Sequence, residues 1–146
     1  MSQQHLRFAL FGNEYQTKKS VAVERTINYL RAHGAELYID RPYYEFLVRQ
    51  SDDEVWCSGV FDDYNFDVDF AISLGGDGTF LRAASRVGAK GIPVLGVNMG
   101  RLGFLSDVLP LEVEKALDEI FEGQYKLEEH TVIKVEAEGE PIEGNP

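Results

Sequence analysis

FAISLGGDGTFLRAAS, residues 70–85, passes from an unbroken apolar run through three glycines and one acid into a segment with helical spacing. Phe70, Ala71 and Ile72 lack polar alternation, as in a parallel strand covered on both faces. Phe80, Ala83, Ala84 and Val87 recur at i, i+3, i+4 and i+7, which predicts an amphipathic helix over 79–89. A buried strand that turns at Gly75-Gly76-Asp77-Gly78 into a helix is half of a βαβ unit. Fold class then depends on whether the unit recurs.

It recurs on both sides. Upstream, 6–11 is a short apolar strand, and Val23, Ile27 and Leu30 mark a helix that ends at Gly34. A second strand at 35–39 follows, with Asp40 as a cap and Pro42 in the first turn of a helix carrying Tyr43, Phe46 and Leu47. The acids Asp52, Asp53, Glu54, Asp62 and Asp63 surround Val55, Trp56, Val60 and Phe61, predicting a solvated surface loop with one anchoring turn. The next strand is expected over 66–74. Downstream, 92–97 is a strand, and Val113, Leu117, Ile120 and Phe121 mark a helix behind Pro110. Alternating strands and helices predict an α/β fold, an open, largely parallel sheet flanked by helices.

The tail differs. From Tyr125 the odd positions Leu127, Thr131, Ile133, Val135 and Ala137 lean apolar and their neighbours are polar, a period of two that predicts one strand with a single buried face. We expect an α/β nucleotide-binding domain at 1–123, and at 124–146 the start of a β-rich second domain that is truncated at Pro146. Unpaired edges on this strand would favour self-association, hence a homo-oligomer.

Composition excludes several partners. Fourteen basic against 25 acidic side chains give a net charge of −11 with no basic patch, unfavourable for a nucleic-acid backbone. No apolar run approaches the length of a membrane span, and the short run at 8–11 is no secretory core, so a cytoplasmic location follows by default. Cys57 is the one cysteine, and His5, His33 and His130 lack flanking ligands, which predicts structural or surface histidines and no protein-held metal.

Gly75, Gly76 and Gly78 sit where ligands bind in open α/β sheets, beyond the carboxyl end of a strand. They permit positive φ and close approach of backbone N–H groups, and the helix start adds unpaired donors, together a phosphate site. Asp77 could simply cap the helix. Three glycines exceed what a turn needs, however, and an acid among phosphate-binding amides is better placed beside a hydroxyl that attacks phosphorus. No G-x-x-x-x-G-K-[ST] occurs, and Leu81 stands where a G-x-G-x-x-G fingerprint needs its third glycine, so the sheet is Rossmann-like without that motif.

Gly75-Gly-Asp-Gly-Thr79 resembles the GGDGT signature shared by NAD kinases, diacylglycerol and sphingosine kinases and, more distantly, 6-phosphofructokinases. Asn98-Met-Gly-Arg-Leu-Gly-Phe-Leu105 resembles the N-x-G-x-L-G-F-L stretch of NAD kinases and selects that family, amino-terminal domain. The resemblance implies transfer of the ATP γ-phosphoryl group to the 2′-hydroxyl of the adenosine ribose of NAD, giving NADP, with Mg²⁺ or another divalent cation carried on ATP. It makes Asp77 the proton acceptor, Gly75 and Gly76 the phosphate turn, and Gly78 and Thr79 nucleotide contacts. Arg82 matches a dinucleotide-contacting position, against the alternative of an exposed helix arginine. Asn98 and Phe104 match residues lining the NAD site, against a turn and a core role. Arg101 is a further contributor at a variable position. His130 departs from an arginine that many relatives carry, at an inter-domain or inter-subunit contact. The family's second domain supplies an Asn paired with Glu or Asp, expected beyond Pro146, so the fragment alone would be inactive. The alternatives are a lipid kinase of the diacylglycerol type, opposed by NMGRLGFL, and a non-catalytic nucleotide-binding module.

Overall fold

The computed structural model describes residues 6–12, 21–50, 54–62, 67–87, 90–98, 108–124, 126–128 and 132–134. In chain order the elements are β1 (Arg7–Gly12), α1 (Val21–Ala32), β2 (Glu36–Asp40), α2 (Arg41–Gln50), β3 (Gly59–Phe61), β4 (Phe70–Gly75), α3 (Asp77–Val87), β5 (Val94–Asn98), α4 (Val113–Phe121), β6 (Lys126–Glu128) and β7 (Val132–Lys134). The strands lie side by side in the order β3-β2-β1-β4-β5-β7-β6, and the first five are mutually parallel. This is the expected α/β sheet.

Alternation along the central strands builds two cores. Phe8, Leu10, Leu37, Ile39, Ile72 and Leu74 face α1, α2 and α4, whereas Ala9, Phe11, Ala71 and Val94 face Phe80, Ala83 and Val87 of α3. All six residues of β4 are buried, which is why its sequence is apolar without a period. Helices α1 and α4 end alike: Gly34 and Gly123 take φ of 73° and 74°, and Ala35 and Gln124 N–H donate to the Leu30 and Glu119 carbonyls. That is the Schellman arrangement, which favours glycine at the left-handed position.

The acidic stretch, the start of β4 and the tail differ from expectation. The acidic stretch holds a strand, β3, whose Val60 pairs with Ile39 while Phe61 is buried against Phe11 at a ring-centroid distance of 5.4 Å. The strand expected over 66–74 begins at Phe70; Asp69 lies just before it, and its carboxylate accepts from the Arg7 backbone N–H at 2.8 Å. The tail is a hairpin: Leu127 lies opposite Ile133 in antiparallel β6 and β7, and Val132 pairs parallel with Val94. Period two is common to one long strand and to two short ones, so alternation could not reveal the turn. The hairpin thereby continues the α/β sheet beyond β5.

Candidate functional site

From β1 the chain winds outward to β2 and β3, then returns to lay β4 on the other side of β1 and continues to β5. The direction of winding reverses between β1 and β4, the position at which open α/β sheets form a ligand crevice beyond the carboxyl ends. Gly12 is opposite Leu74, and Gly75 is opposite Asn98, so the ends of three strands meet at this point. Gly12 lets the ring of buried Tyr43 lie against the backbone, since a Cβ there would overlap the ring carbons. Burial pushes the Tyr43 phenol far above its ordinary range.

The motif glycines serve two different purposes. Gly75, Gly76 and Gly78 do not adopt positive φ, contrary to one reason expected for them; among the described glycines Gly34, Gly91 and Gly123 do. Gly75 is required by contact, because a Cβ would stand 2.5 Å from Thr79 Oγ1 and 2.8 Å from Thr79 Cβ. Gly76 and Gly78 face open space: apart from the adjoining chain and the backbone of α3 itself, no described atom lies within 4 Å of where a Cβ would stand. The helix starts at Asp77, two residues earlier than its apolar spacing predicts, and Phe80 N–H donates to the Gly76 carbonyl at 3.0 Å. Amides of the first turn precede any intrahelical acceptor, so the turn presents donors and partial positive charge to the crevice.

Asp77 is therefore the first residue of α3, with Gly78 and Thr79 in the same turn, and Asn98 ends β5 beside Gly75. Phe104, Arg101 and His130 lie outside the described residues. Arg82 is not the exposed helix arginine of the alternative reading: half-buried, it is paired with Asp40, whose carboxylate also meets Arg86 at 3.3 Å. Arg86 in turn lies over the rings of Phe11 and Phe61 at 5.6 and 5.7 Å. Asp40 was expected only as a cap for α2, and its link to α3 was missed. The available signal was an acid closing an apolar strand, together with arginines at i and i+4 on the motif helix.

Toward the amino ends of β1, β2 and β4, Arg7, Glu36, Tyr38 and Asp67 line a cleft of about 410 Å³, with Gly59–Phe61 of β3 along its side. There Arg7 bridges Asp67 at 3.2 Å and Asp69 at 3.5 Å. Just past the carboxyl ends of β2 and β3, the hydrogen bond from Arg41 at 2.7 Å holds the Asp62 carboxyl below its usual range. His33 stacks on Tyr29 at 3.9 Å, a structural role as expected. Among the described residues no three His, Cys, Asp or Glu side chains converge to hold a metal.

The profile of the ATP-NAD kinase N-terminal domain matches residues 8–125, the span that contains the crevice. The chain belongs to the ATP-NAD kinase family. Within this family, the NAD kinase of Bacteroides fragilis is 45% identical over 141 residues, covering 97% of this chain and 49% of that protein. The NAD kinase of Porphyromonas gingivalis is 36% identical over 129 residues, covering 88% and 45%. The chain thus spans about half the length of the curated ATP-NAD kinase relatives it matches. The crystal structure of yeast NADH kinase complexed with NADH superposes with a TM-score of 0.68 at 20% identity, over 84% of this chain and 39% of that one, a shared fold.

Proposed function

We propose that the protein is an NAD kinase, transferring the γ-phosphoryl group of ATP to the 2′-hydroxyl of the adenosine ribose of NAD to give NADP. The observation that carries this reading is the position of Gly75-Gly-Asp-Gly-Thr79 at the winding reversal, where it closes β4 and opens α3. Relatives named NAD kinase, 36 to 45% identical, favour it over a lipid kinase.

In this reading the open space beside Gly76 and Gly78 admits phosphate oxygens to the backbone amides, which neutralise charge without a flexible side chain. Gly75 and Thr79 set the angle between strand and helix, and Thr79 contacts nucleotide. Asp77 takes the proton of the attacking 2′-hydroxyl as the oxygen-to-phosphorus bond forms and the bond from phosphorus to ADP breaks. Arg82 contacts the dinucleotide, and Asn98 and Phe104 line the NAD pocket. A divalent cation, Mg²⁺ or another, carried on the phosphates of ATP would supply charge neutralisation there.

Residues 124–146 are read as the start of the second, β-rich domain on the family match ending at residue 125, although β6 and β7 extend the sheet of the first. Self-association is supported by the position of β6 as the outermost strand among the described residues. A cytoplasmic location is consistent with the described helices, none of which is long and apolar enough to cross a membrane.

The test is NADP formation by the complete gene product, wild type against Asp77→Asn. A fall in kcat of about 10²- to 10⁴-fold is expected for the variant. Equal rates would remove the Asp77 assignment, and ATP-dependent phosphorylation of a lipid in place of NAD would replace the proposal.

A further inference from the structure

Asp40 closes β2 with a side chain only 1% exposed, and the chemistry above makes no use of it. It reaches α3 through two arginines one helical turn apart, which are unequal. Arg86, 16% exposed, is wedged over the Phe11 and Phe61 rings; Arg82, 35% exposed, approaches the same carboxylate one turn beyond Gly78. The site faces the crevice side of the fold: Leu10 pairs with Ile39, and Phe11 with Ser73, so Asp40 stands one strand from Phe11 and just short of Gly12. A guanidinium carries five donors in a plane, so one edge can remain on a carboxylate while another meets phosphate oxygen. A buried carboxylate stripped of its cations would be strongly unfavourable. Arg86 guards against that.

We propose that Asp40 is a positioning residue for nucleotide phosphate: it holds the Arg82 guanidinium at the carboxyl end of the sheet, while Arg86 keeps the carboxylate compensated when Arg82 engages the phosphate. The proposal rests on the NAD kinase reading. The ligand chemistry is a nucleotide phosphate oxyanion, from the triphosphate of ATP or the pyrophosphate of NAD.

In the complete gene product, Asp40→Asn, Arg82→Gln and the double variant are compared for NADP formation, with ATP and NAD varied separately. Each single variant should raise KM about tenfold for the nucleotide that Arg82 meets, with kcat near wild type, and the double variant should be no worse than Arg82→Gln. The substrate whose KM moves identifies the source of the phosphate. Additive losses, a fall in kcat alone, or unchanged kinetics overturn the proposal. Should Asp40→Asn fail to fold, arginine Nε–H resonances of the wild-type protein decide: nucleotide must shift that of Arg82 and leave that of Arg86, and any other pattern overturns it. Wild-type protein that neither binds nucleotide nor forms NADP removes the NAD kinase reading and this proposal together. Wild-type turnover with Asp40→Asn kinetics unchanged removes this proposal alone.

Discussion

Thr79 stands directly over Gly75, so that the hydroxyl and Cβ of one occupy the place where a side chain of the other would project. Strand end and helix start are locked by this contact. Gly75→Ala should therefore force α3 away from β4 and destabilise the fold by about 1–3 kcal/mol, the usual effect of overpacking. Adding Thr79→Ala should recover part of the loss. Chemical denaturation of both variants tests the contact, and an undiminished Gly75→Ala protein would refute it.

Gly78 predicts the opposite pairing of effects. Its Cβ position is empty and its φ is not positive, so alanine fits the helix and should raise stability by roughly 0.5–1 kcal/mol. The same methyl group would occupy the space assigned to phosphate, so nucleotide affinity should fall. Thermal unfolding and calorimetric titration with ATP separate the two effects; unchanged affinity would count against a phosphate cradle at Gly78.

Ser73 Oγ is buried beneath α3 with no hydrogen-bond partner among the described residues. A buried hydroxyl without a partner is a desolvation cost, so Ser73→Ala should leave stability unchanged or raise it by about 1 kcal/mol. A clear fall in unfolding temperature would show that the hydroxyl is engaged.

The two phenols set an alkaline limit. Burial raises Tyr43, and burial together with the hydrogen bond to Asp118 raises Tyr29, each from an ordinary value of 10.0. In the unfolded chain these phenols release protons first, so the folded state binds more protons and stability must fall as pH climbs above that value. Their contribution is complete below pH 10 and is lost toward the folded-state values. Denaturant midpoints measured from pH 8 to 11 should drop, and Tyr43→Phe should flatten the decline.

The β4-turn-α3 unit was legible because its signals are local: an apolar run covered on both faces, then four apolar residues at helical spacing. β3 was not, since Gly59-Val-Phe61 is three residues among acids and owes its conformation to pairing with β2. In the tail, residues 129–131 carry no glycine, proline or asparagine to mark a turn between Leu127 and Ile133. At the site, residue types announced a phosphate turn, yet the requirement at Gly75 is the bulk of Thr79 rather than backbone handedness. Asp40 and Arg82 are 42 residues apart, and no spacing rule links them; only the lateral order of strands brings them together.

The pairing of β1 with β4 also has a temporal side. Phe8 must wait for Phe70, and Arg7 for Asp69, a separation of 62 residues. At a synthesis rate of about 5–20 residues per second, that wait lasts roughly 3–12 s on the ribosome. Once Glu36–Asp40 has been made, β1 can pair with β2, but its other edge stays open until β4 follows, and the crevice does not yet exist. Distant pairing of this kind slows folding, so the nucleotide site arises late, only once both halves of the sheet have been made.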